Sequence, residues 1–374
     1  MKASVVIPAY NSKQGVEICL LSLIHQRIAD DDSFEVVVVD DGSSDGTRDV
    51  VRGRHYPFEL NYVHRPRGPE SGRAAARNAG IREASGELIV MVDADQMLPP
   101  DFLAEHIRYH MHHAAMVVLG PRHHLGEGRF DVDRLARGFT LEAVPQVVGG
   151  DSRESVLDAF SHNLDNLSTA WHYLFSCNAS VRREHLLAVG GFDESFVGWG
   201  LEDSELGYRL RRFGLGFAYN RHAVAYHLYE QVIREDMYDE WLRNLAFFTD
   251  KHGVPEVAAQ RILARSFDPR TRDLSWLECC QRFEYAVRAL HGRLPGRVEY
   301  RVVRVDEANR NEVIGALADW AGRGHLLVLD RTADREIPRI VQCSNSEHEV
   351  VYYRSSGPEE ERRILSRHPI ADPF

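Results

Sequence analysis

At 374 residues the chain is longer than a single hydrophobic core usually organises, so we expect one large domain and a smaller appendage. Its formal net charge of −11 argues against wrapping nucleic acid, which needs a basic face, but allows a phosphorylated ligand whose charge a metal ion neutralises. The apolar runs fall well short of the roughly 18–20 residues that span a bilayer, and the N-terminus lacks a secretion signal. Five cysteines without CxxC spacing indicate reduced thiols. We therefore predict a cytoplasmic protein without a membrane span.

Strand-like and helix-like segments alternate through the first 120 residues. Apolar and β-branched runs predict strands buried on both faces, and apolar residues at helical spacing predict the helices between them. Strict alternation of this kind indicates βαβ units and a parallel sheet. The predicted strands cover residues 4–7, 34–39, 62–63, 87–92 and 116–119, and the predicted helices cover 16–26, 45–52, 72–84 and a segment opened by Pro99 and Pro100.

The regular pattern weakens after residue 120. Residues 121–170 predict loops and short helices, because glycine, arginine and histidine interrupt every apolar run there. From about residue 295 a mixed pattern restarts, which indicates a small separate α/β unit. Between these regions we predict strands at 174–181 and 223–226, a helix over 202–213 and further helices across 231–268.

Two polar turns follow the first two predicted strands, at the edge where open α/β sheets bind ligands. Residues 8–11 (Pro-Ala-Tyr-Asn) follow the first strand, and residues 40–43 (Asp-Asp-Gly-Ser) follow the second. The first turn is either a plain strand-to-helix connection or part of a ligand site. The second is either a helix cap or a pair of carboxylates that accept hydrogen bonds from a base N–H and ribose hydroxyls.

Two carboxylates, Asp93 and Asp95, directly follow the apolar run at 88–92. Carboxylates two residues apart at a strand end can converge on one hard divalent cation that bridges a diphosphate. The DxD pattern is common by chance, but here it follows a buried strand and lies one βα unit beyond Arg73 and Arg77. We therefore predict a metal-assisted diphosphate site.

A tryptophan between two glycines precedes two carboxylates in residues 198–205 (Gly-Trp-Gly-Leu-Glu-Asp-Ser-Glu). Glycines let the backbone approach a ligand closely, and the flat face of Trp199 suits stacking on a sugar ring. Glu202 and Asp203 fall in the first turn of a predicted helix, where the dipole favours carboxylates. The segment is either a charged helix start or an active-site loop. Further along, His227 ends an apolar run and is either structural or a third metal ligand.

These motifs together resemble family 2 glycosyltransferases of the GT-A fold. The segment at 198–205 resembles the WGxED segment of chondroitin-polymerase-type and β-1,4-galactosyltransferase-like enzymes. The resemblance covers about residues 1–230 and implies a Rossmann-like mixed sheet flanked by helices, to which the C-terminal α/β unit is added. We accordingly expect a GT-A domain at 1–265, with a nucleotide-binding half (1–120) and an acceptor half (121–265), and a C-terminal accessory domain at 266–374. The other matching segments are residues 5–11, 39–43, 72–80 and 92–95.

The resemblance implies a donor site built on the first 95 residues. Ala9, Tyr10 and Asp40 would hold the nucleobase, and uracil is the commonest base in this family. Arg73 would contact the nucleotide, and Asp93 would face the ribose and the donor sugar. The full set that we assign to the donor nucleotide is Pro8, Ala9, Tyr10, Asn11, Asp40, Asp41, Arg73, Asp93 and Ala94.

The resemblance also implies the residues of the metal site and of the acceptor side. Asp95 and His227 would bind Mn²⁺ or Mg²⁺, which neutralises the leaving diphosphate. Asp203 would be the general base, and Glu202 would orient the acceptor. One base acting without a covalent intermediate predicts inversion at the anomeric carbon. Trp199 and Gly200 would contact the acceptor sugar.

The sequence therefore predicts a metal-dependent glycosyltransferase with a nucleotide-sugar donor, first of all a UDP-sugar. One alternative is a sugar nucleotidyltransferase, but that class expects a glycine-rich basic loop after the first strand, which residues 8–11 do not provide. The other is a catalytically inactive nucleotide-sugar-binding module, which predicts a degraded DxD or Glu-Asp pair, yet both are intact. A glycan precursor, a peptide and a specialised metabolite all stay open as acceptors. The accessory domain would bind the acceptor or form a homo-oligomer.

Two further features look suggestive of metal or redox chemistry but favour structural roles. His106 and His110 could share a helix face, but no carboxylate or cysteine completes a metal pattern around them. Cys279 and Cys280 are adjacent and fit small buried apolar residues better than a redox pair. We expect neither pair to take part in the reaction.

Overall fold

The structure is a computed structural model, and it describes residues 1–159, 164–228, 233–271, 273–291, 300–318, 325–332, 337 and 350–365. Across these ranges we find no helix with both the length and the apolar character needed to cross a membrane. The strands, in chain order, are β1 (Lys2–Ala9), β2 (Ser33–Asp40), β3 (Glu59–His64), β4 (Leu88–Val92), β5 (Gln96–Met97), β6 (Met116–Leu119), β7 (Arg122–Leu125), β8 (Val147–Gly149), β9 (Asn178–Arg182), β10 (Gly216–Tyr219), β11 (Ala225–His227), β12 (Tyr300–Val305), β13 (His325–Asp330) and β14 (Val350–Arg354).

The helices connect these strands and cover the sheets. Short 3₁₀ turns also occur at Leu141–Ala143, Leu164–Asn166, Ala170–Tyr173 and Ala259–Leu263. The helices, in chain order, are α1 (Lys13–Leu23), α2 (Thr47–Arg52), α3 (Arg73–Glu83), α4 (Phe102–His112), α5 (Val132–Arg137), α6 (Ser152–Ala159), α7 (Arg183–Ala188), α8 (Glu202–Arg212), α9 (Glu235–His252), α10 (Pro255–Ala258), α11 (Ala264–Phe267), α12 (Trp276–Leu290), α13 (Arg310–Ala318) and α14 (Pro358–Leu365).

A seven-stranded mixed sheet in the order β10-β6-β9-β4-β1-β2-β3 forms the centre of the described chain. β1, β2, β3 and β4 run parallel to their neighbours, as does the β6–β10 pair. β9 alone runs antiparallel, between β4 and β6. The predicted mixed α/β architecture is confirmed, and the carboxyl ends of the parallel strands share one edge on which the polar turns lie.

Helices cover both faces of this sheet because its strands are apolar on both faces. Val5 and Ile7 of β1 pack in one core with α1 and α4, while Val6 packs in the other with α3. α3 approaches β1 very closely, since a Cβ on Gly80 would lie 2.4 Å from Val6 Cγ1. A doubly covered sheet of this kind presents its ligand edge at fixed geometry.

A second sheet has four strands in the order β5-β11-β7-β8. β7 and β8 lie within residues 121–170, which we expected to form loops and short helices, whereas β11 overlaps the strand predicted at 223–226. β11 pairs antiparallel with β5 and parallel with β7, so His227 lies opposite Gln96 on one side and His124 on the other. These strands are two to four residues long, and β7 is Arg-His-His-Leu, so no apolar alternation marks β7 or β8 in the sequence. This sheet carries His227 to the carboxyl end of β4.

The residues just after 265 pack with the central sheet. α12 contributes Cys279, Cys280, Phe283 and Val287 to the same core as the central sheet. Both cysteines are fully buried, as expected. Farther on, β12, β13 and β14 form a parallel three-stranded sheet with its own core. This packing favours a boundary between residues 291 and 300 rather than at 265.

Candidate active site

Three potential metal ligands meet where β4 and β11 end. Asp93 and Asp95 follow β4, and His227 closes β11. One ligand atom from each of the three lies within 4.8 Å of the others, and His227 Nε2 is 3.3 Å from Asp95 Oδ1. The side chain of Gln96 accepts the Asp93 N–H at 3.1 Å, which fixes the turn between the two aspartates. Two carboxylates and an imidazole form a donor set that suits a divalent cation.

The two aspartates differ in how easily they ionise. Burial opposes the charged form of Asp93, but Arg77, His227 and Arg73 outweigh it and hold the pKa of that carboxyl below its usual range. Burial raises the pKa of Asp95; the nearby charge of Asp93 adds to the rise and His227 opposes it. A cation placed between them would favour the charged form of both carboxylates.

A buried arginine connects these aspartates to the predicted catalytic pair. Arg77 is only 4% exposed, and its Nη2 donates to Asp93 Oδ1 at 2.8 Å. Its Nη1 lies 4.0 Å from Glu202 Oε1. Nε and Nη1 are buried and have no hydrogen-bond partner among the residues that the structure describes. Arg77 therefore joins the potential metal ligands to the Glu202–Asp203 pair, a role that we did not assign to it from the sequence.

Glu202 and Asp203 begin α8, as predicted. Asp203 Oδ2 accepts the backbone N–H of Ser176 at 2.9 Å, while Asp203 Oδ1 is buried and accepts no hydrogen bond within the described ranges. Burial, together with the charge of Asp203, raises the pKa of Glu202 to about 7, against the lowering effect of Arg77. The two adjacent carboxyls therefore differ in environment: a backbone N–H fixes Asp203, while burial beside Asp203 raises the pKa of Glu202.

The loop before α8 depends on its glycines. Gly198 and Gly200 have φ angles of +81° and +95°, which L side chains rarely adopt. Glu240 on α9 accepts the Trp199 N–H at 2.8 Å, and Asn244 donates to the Gly200 carbonyl at 2.8 Å. Trp199 is partly buried against the main core. α9 thus fixes this loop, and contact of Trp199 and Gly200 with an acceptor stays a prediction.

Asp40, the last residue of β2, and Asp41, which follows it, direct their carboxylates into the protein. Asp40 is 1% exposed, and its oxygens accept hydrogen bonds from the Ser43 N–H at 2.8 Å and the Tyr62 hydroxyl at 2.5 Å. Burial opposes ionisation, yet Ser43 and Tyr62 hold the pKa of Asp40 below its usual range. Asp41 accepts hydrogen bonds from the guanidinium groups of Arg65 and Arg67. The oxygens of both carboxylates already accept hydrogen bonds from protein donors. A nucleotide that contacts either aspartate directly would therefore have to share a carboxylate oxygen with one of those donors.

The other residues assigned to the nucleotide surround these turns. Ala9 lies beside Asp40 in the β1–β2 register, next to the pair formed by Pro8 and Val39. Tyr10 is 48% exposed, and Asn11 is exposed with a φ of +48°. Arg73 is exposed at the start of α3, and Ala94 is buried between the two metal-site aspartates. The structure therefore brings the predicted donor residues to one edge of the sheet.

A fully buried ion pair, Arg153–Asp151, holds backbone groups near His227 and near Ser176. Arg153 donates to Asp151 and to the carbonyl oxygens of Gly120 and Tyr173 at 3.0 Å or less. Asp151 also accepts the backbone N–H of Arg122, at the start of β7. The pair thereby fixes the strand beside His227 and the segment that leads to Ser176. The sequence gives little indication of this ion pair, because a buried arginine cannot be told from an exposed one by residue type alone.

Residues 4–190, half of the chain, match the family profile described as "Glycosyl transferase family 2". The chain belongs to glycosyltransferase family 2. A second profile, described as "N-terminal domain of galactosyltransferase", matches residues 159–231, which include α8 and His227. The predicted family and the predicted enzyme class are thus confirmed.

Named relatives of this glycosyltransferase match little more than half of it. The uncharacterized glycosyltransferase YfnE of Bacillus subtilis (strain 168) is 30% identical over 232 residues, which cover 54% of this chain and 58% of that protein. Validoxylamine A glucosyltransferase of Streptomyces hygroscopicus subsp. limoneus is 35% identical over 213 residues, or 53% and 45% of the two chains. The chain thus spans about half the length of these relatives. Chondroitin synthase of Escherichia coli is 29% identical over 30% of its length.

A solved structure supports the fold. The crystal structure of S. aureus TarS 1–349 superposes with a TM-score of 0.50 over 86% of this chain and 80% of that one, at 22% sequence identity. The likeness concerns the arrangement of strands and helices. It agrees with the GT-A architecture that the motifs implied.

Proposed function

We propose that this glycosyltransferase is an inverting, metal-dependent enzyme that transfers a sugar from a UDP-sugar to an acceptor hydroxyl. The observation that carries the proposal is the connection made by buried Arg77, which contacts Asp93 on one side and approaches Glu202 on the other. Arg77 thereby places a potential metal site next to a carboxylate pair, as transfer from a diphosphate to a hydroxyl requires. The choice of uridine rests on the family resemblance of the turns at 8–11 and 40–43.

Asp93, Asp95 and His227 are the residues that would hold the cation, Mn²⁺ or Mg²⁺. Their mutual separation of no more than 4.8 Å suits a single ion. A bound cation would neutralise the charge that develops on the leaving diphosphate. The imidazole ligand favours Mn²⁺, because Mg²⁺ prefers an all-oxygen shell.

Asp203 is the residue that we assign as general base. Ser176 fixes Oδ2, and Oδ1 has no donor among the described residues, so an acceptor hydroxyl would supply the missing hydrogen bond. The hydroxyl oxygen bonds to the anomeric carbon, the bond from that carbon to the diphosphate oxygen breaks, and the hydroxyl proton passes to Oδ1. A single displacement of this kind inverts the anomeric centre. Glu202, with its raised pKa, would hydrogen-bond a second acceptor hydroxyl.

Calorimetric titration with UDP, repeated with Mn²⁺, Mg²⁺ and EDTA, tests the proposal. We expect UDP to bind with Mn²⁺ and to bind at least tenfold more weakly with EDTA, because a cation held by Asp93, Asp95 and His227 would neutralise part of the diphosphate charge. The relatives include a glucosyltransferase and a chondroitin synthase, so glucosyl donors and glycan acceptors belong in the first activity panel, beside peptides and small metabolites. Binding of UDP that is equal with and without the metal would contradict the proposal.

A further inference from the structure

Tyr10 is in contact with a cation on one face of its ring. The Arg67 guanidinium carbon lies 4.0 Å from the centre of the Tyr10 ring, a stacked cation–π contact. Tyr10 is nevertheless 48% exposed. A nucleobase between the two groups would need roughly 7 Å, twice the usual stacking distance, so the face that Arg67 covers is closed to it.

Arg67 is itself held in place by the turn after β2. Its Nη1 donates to Asp41 Oδ2 at 2.5 Å, and the Asp41 carboxylate is almost fully buried. A Cβ on Gly42, whose φ is +84°, would lie 2.7 Å from the backbone nitrogen of Arg67. Asp41 therefore holds the Arg67 side chain, and the Arg67 backbone passes close to this turn.

Tyr10 belongs to a loop that is tied to the same turn. The Asn11 N–H donates to Ser43 Oγ at 2.9 Å, and Asn11 Oδ1 accepts the Ser44 N–H at 2.9 Å. The Asp41 N–H donates to the Ala9 carbonyl at 2.9 Å. The residues on both sides of Tyr10 are thus fixed by hydrogen bonds, and the ring is fixed by Arg67.

We propose that Arg67 is a positioning residue that holds the Tyr10 ring from behind, so that the nucleobase of the donor stacks on the opposite face. The inference rests on the proposed function, because it needs a nucleotide at this edge of the sheet. Asp41 then contributes to nucleotide binding through Arg67 rather than by contact with the base. A ring that is already immobilised loses little conformational freedom when the base stacks on it, which favours binding.

A double-mutant cycle on the full chain measures this coupling. UDP, with saturating Mn²⁺, is titrated into the wild type, Arg67→Ala, Tyr10→Ala and the double variant. We expect Arg67→Ala to weaken UDP binding by about three- to tenfold and Tyr10→Ala by about tenfold or more. The double variant should bind UDP within about twofold of Tyr10→Ala alone, because Arg67 has no ring left to hold.

Two further variants separate positioning from a general loss of structure. Arg67→Lys keeps the charge but not the planar stack, so its UDP affinity should lie between those of the wild type and Arg67→Ala. Arg270 also pairs with a carboxylate and stacks on a tyrosine, Tyr238, at 5.0 Å, outside the donor residues. Arg270→Ala is therefore the matched control and should leave UDP binding unchanged. Mn²⁺ affinity without nucleotide should be the same in every variant.

Several results would overturn the inference. Tighter UDP binding by Arg67→Ala would mean that the arginine blocks the base site. If the double variant loses UDP affinity by the product of the two single-variant losses, Arg67 acts independently of Tyr10. If Arg67→Ala binds UDP with wild-type affinity, Arg67 has no positioning role, and the proposed function is unaffected. If the wild type binds neither UDP nor GDP, ADP or CDP, the proposed function itself fails, and the role of Arg67 with it.

Discussion

The two oxygens of Asp203 have different partners: one accepts the Ser176 N–H, and the other has no donor in the described chain. Asp203→Asn keeps the size of the side chain and an oxygen for Ser176 but cannot take up a proton. We expect turnover to fall by roughly 10²–10⁴, with UDP affinity within a few-fold of the wild type. Asp236→Asn, in the first turn of α9, is the control. Near-normal turnover in Asp203→Asn would rule this residue out as the base.

Asp95 is the carboxylate whose loss should affect the metal most directly. Asp95→Ala removes one of three potential ligands and the contact with His227 at 3.3 Å. We expect Mn²⁺-dependent UDP affinity to drop at least tenfold, measured by calorimetry, and Mn²⁺ affinity to drop in parallel, measured by electron paramagnetic resonance. Asp101→Ala, just before α4, should change neither quantity. Unchanged metal affinity would exclude Asp95 from the site.

The sequence allowed us to predict the residues that lie in recognisable motifs, but not those whose role depends on tertiary contacts. Asp93, Asp95 and His227 were predicted from strand ends and a family motif, and the structure places them together. Arg77 was not assigned a role, because an arginine in an alanine-rich helix looks solvent-exposed until the fold buries it. Ser176 acts through its backbone N–H, which every residue except proline has, so no sequence pattern marks it.

At the scale of single elements, the buried face of α4 depends on two neutral histidines. The His106 ring nitrogens hydrogen-bond with Ser180 Oγ and Asn178 Oδ1, and His110 Nε2 bonds with Ser180 Oγ. The expectation that these histidines are structural is confirmed. Burial lowers the pKa of His106 to about 4 and that of His110 to about 3.

These lowered pKa values predict loss of stability in mild acid. Below a pH of about 6.5 the unfolded chain binds protons at both histidines while the folded chain does not, so the free energy of unfolding should fall as the pH drops from about 6.5 towards 4. His110→Gln should reduce that slope by up to about 1.4 kcal/mol per pH unit, one proton's worth, in urea titrations between about pH 5.5 and 4.5. His112→Gln, on an exposed position of the same helix, should keep it. Equal slopes in all three proteins would contradict the assignment.

Elements with a strong local pattern were predicted, and those defined only by their neighbours were not. β2 contains four consecutive valines and β4 consists of five apolar residues, so the length and β-branching of these runs were enough to predict the strands. β7 consists of Arg-His-His-Leu and becomes a strand because β11 and β8 pair with it. The predicted strand at 174–181 begins at Asn178 instead, because the apolar residues before it bury their side chains without entering the sheet.

At the scale of the whole molecule, α12 decides where the chain can be divided. Its Glu284 carboxylate accepts the backbone N–H groups of Ser168 and Thr169, both at 2.9 Å. Phe283, on the same helix, packs against Trp171 in the main core. α12 therefore holds the segment that leads to Ser176. The sequence of α12 does not predict this contact, because an amphipathic pattern shows that a helix has a buried face but not which element packs against that face.

The position of α12 predicts how truncated chains behave. A chain of residues 1–291 should unfold cooperatively in thermal denaturation and bind UDP like the full protein. A chain of residues 1–265 loses the four fully buried apolar side chains of α12 and its buried Glu284, and it should melt well below the 1–291 chain or fail to fold. Equal stability of the two would restore the boundary that we predicted at 265.

The antiparallel position of β9 has a consequence for synthesis on the ribosome. β6 joins β4 only through β9, so a nascent chain that ends near residue 120 has an empty position in the middle of its sheet. The gap closes only after residue 182 has left the exit tunnel. Until then the edges of β4 and β6 expose unpaired backbone groups, which makes the emerging domain a candidate client for chaperones that shield open strand edges.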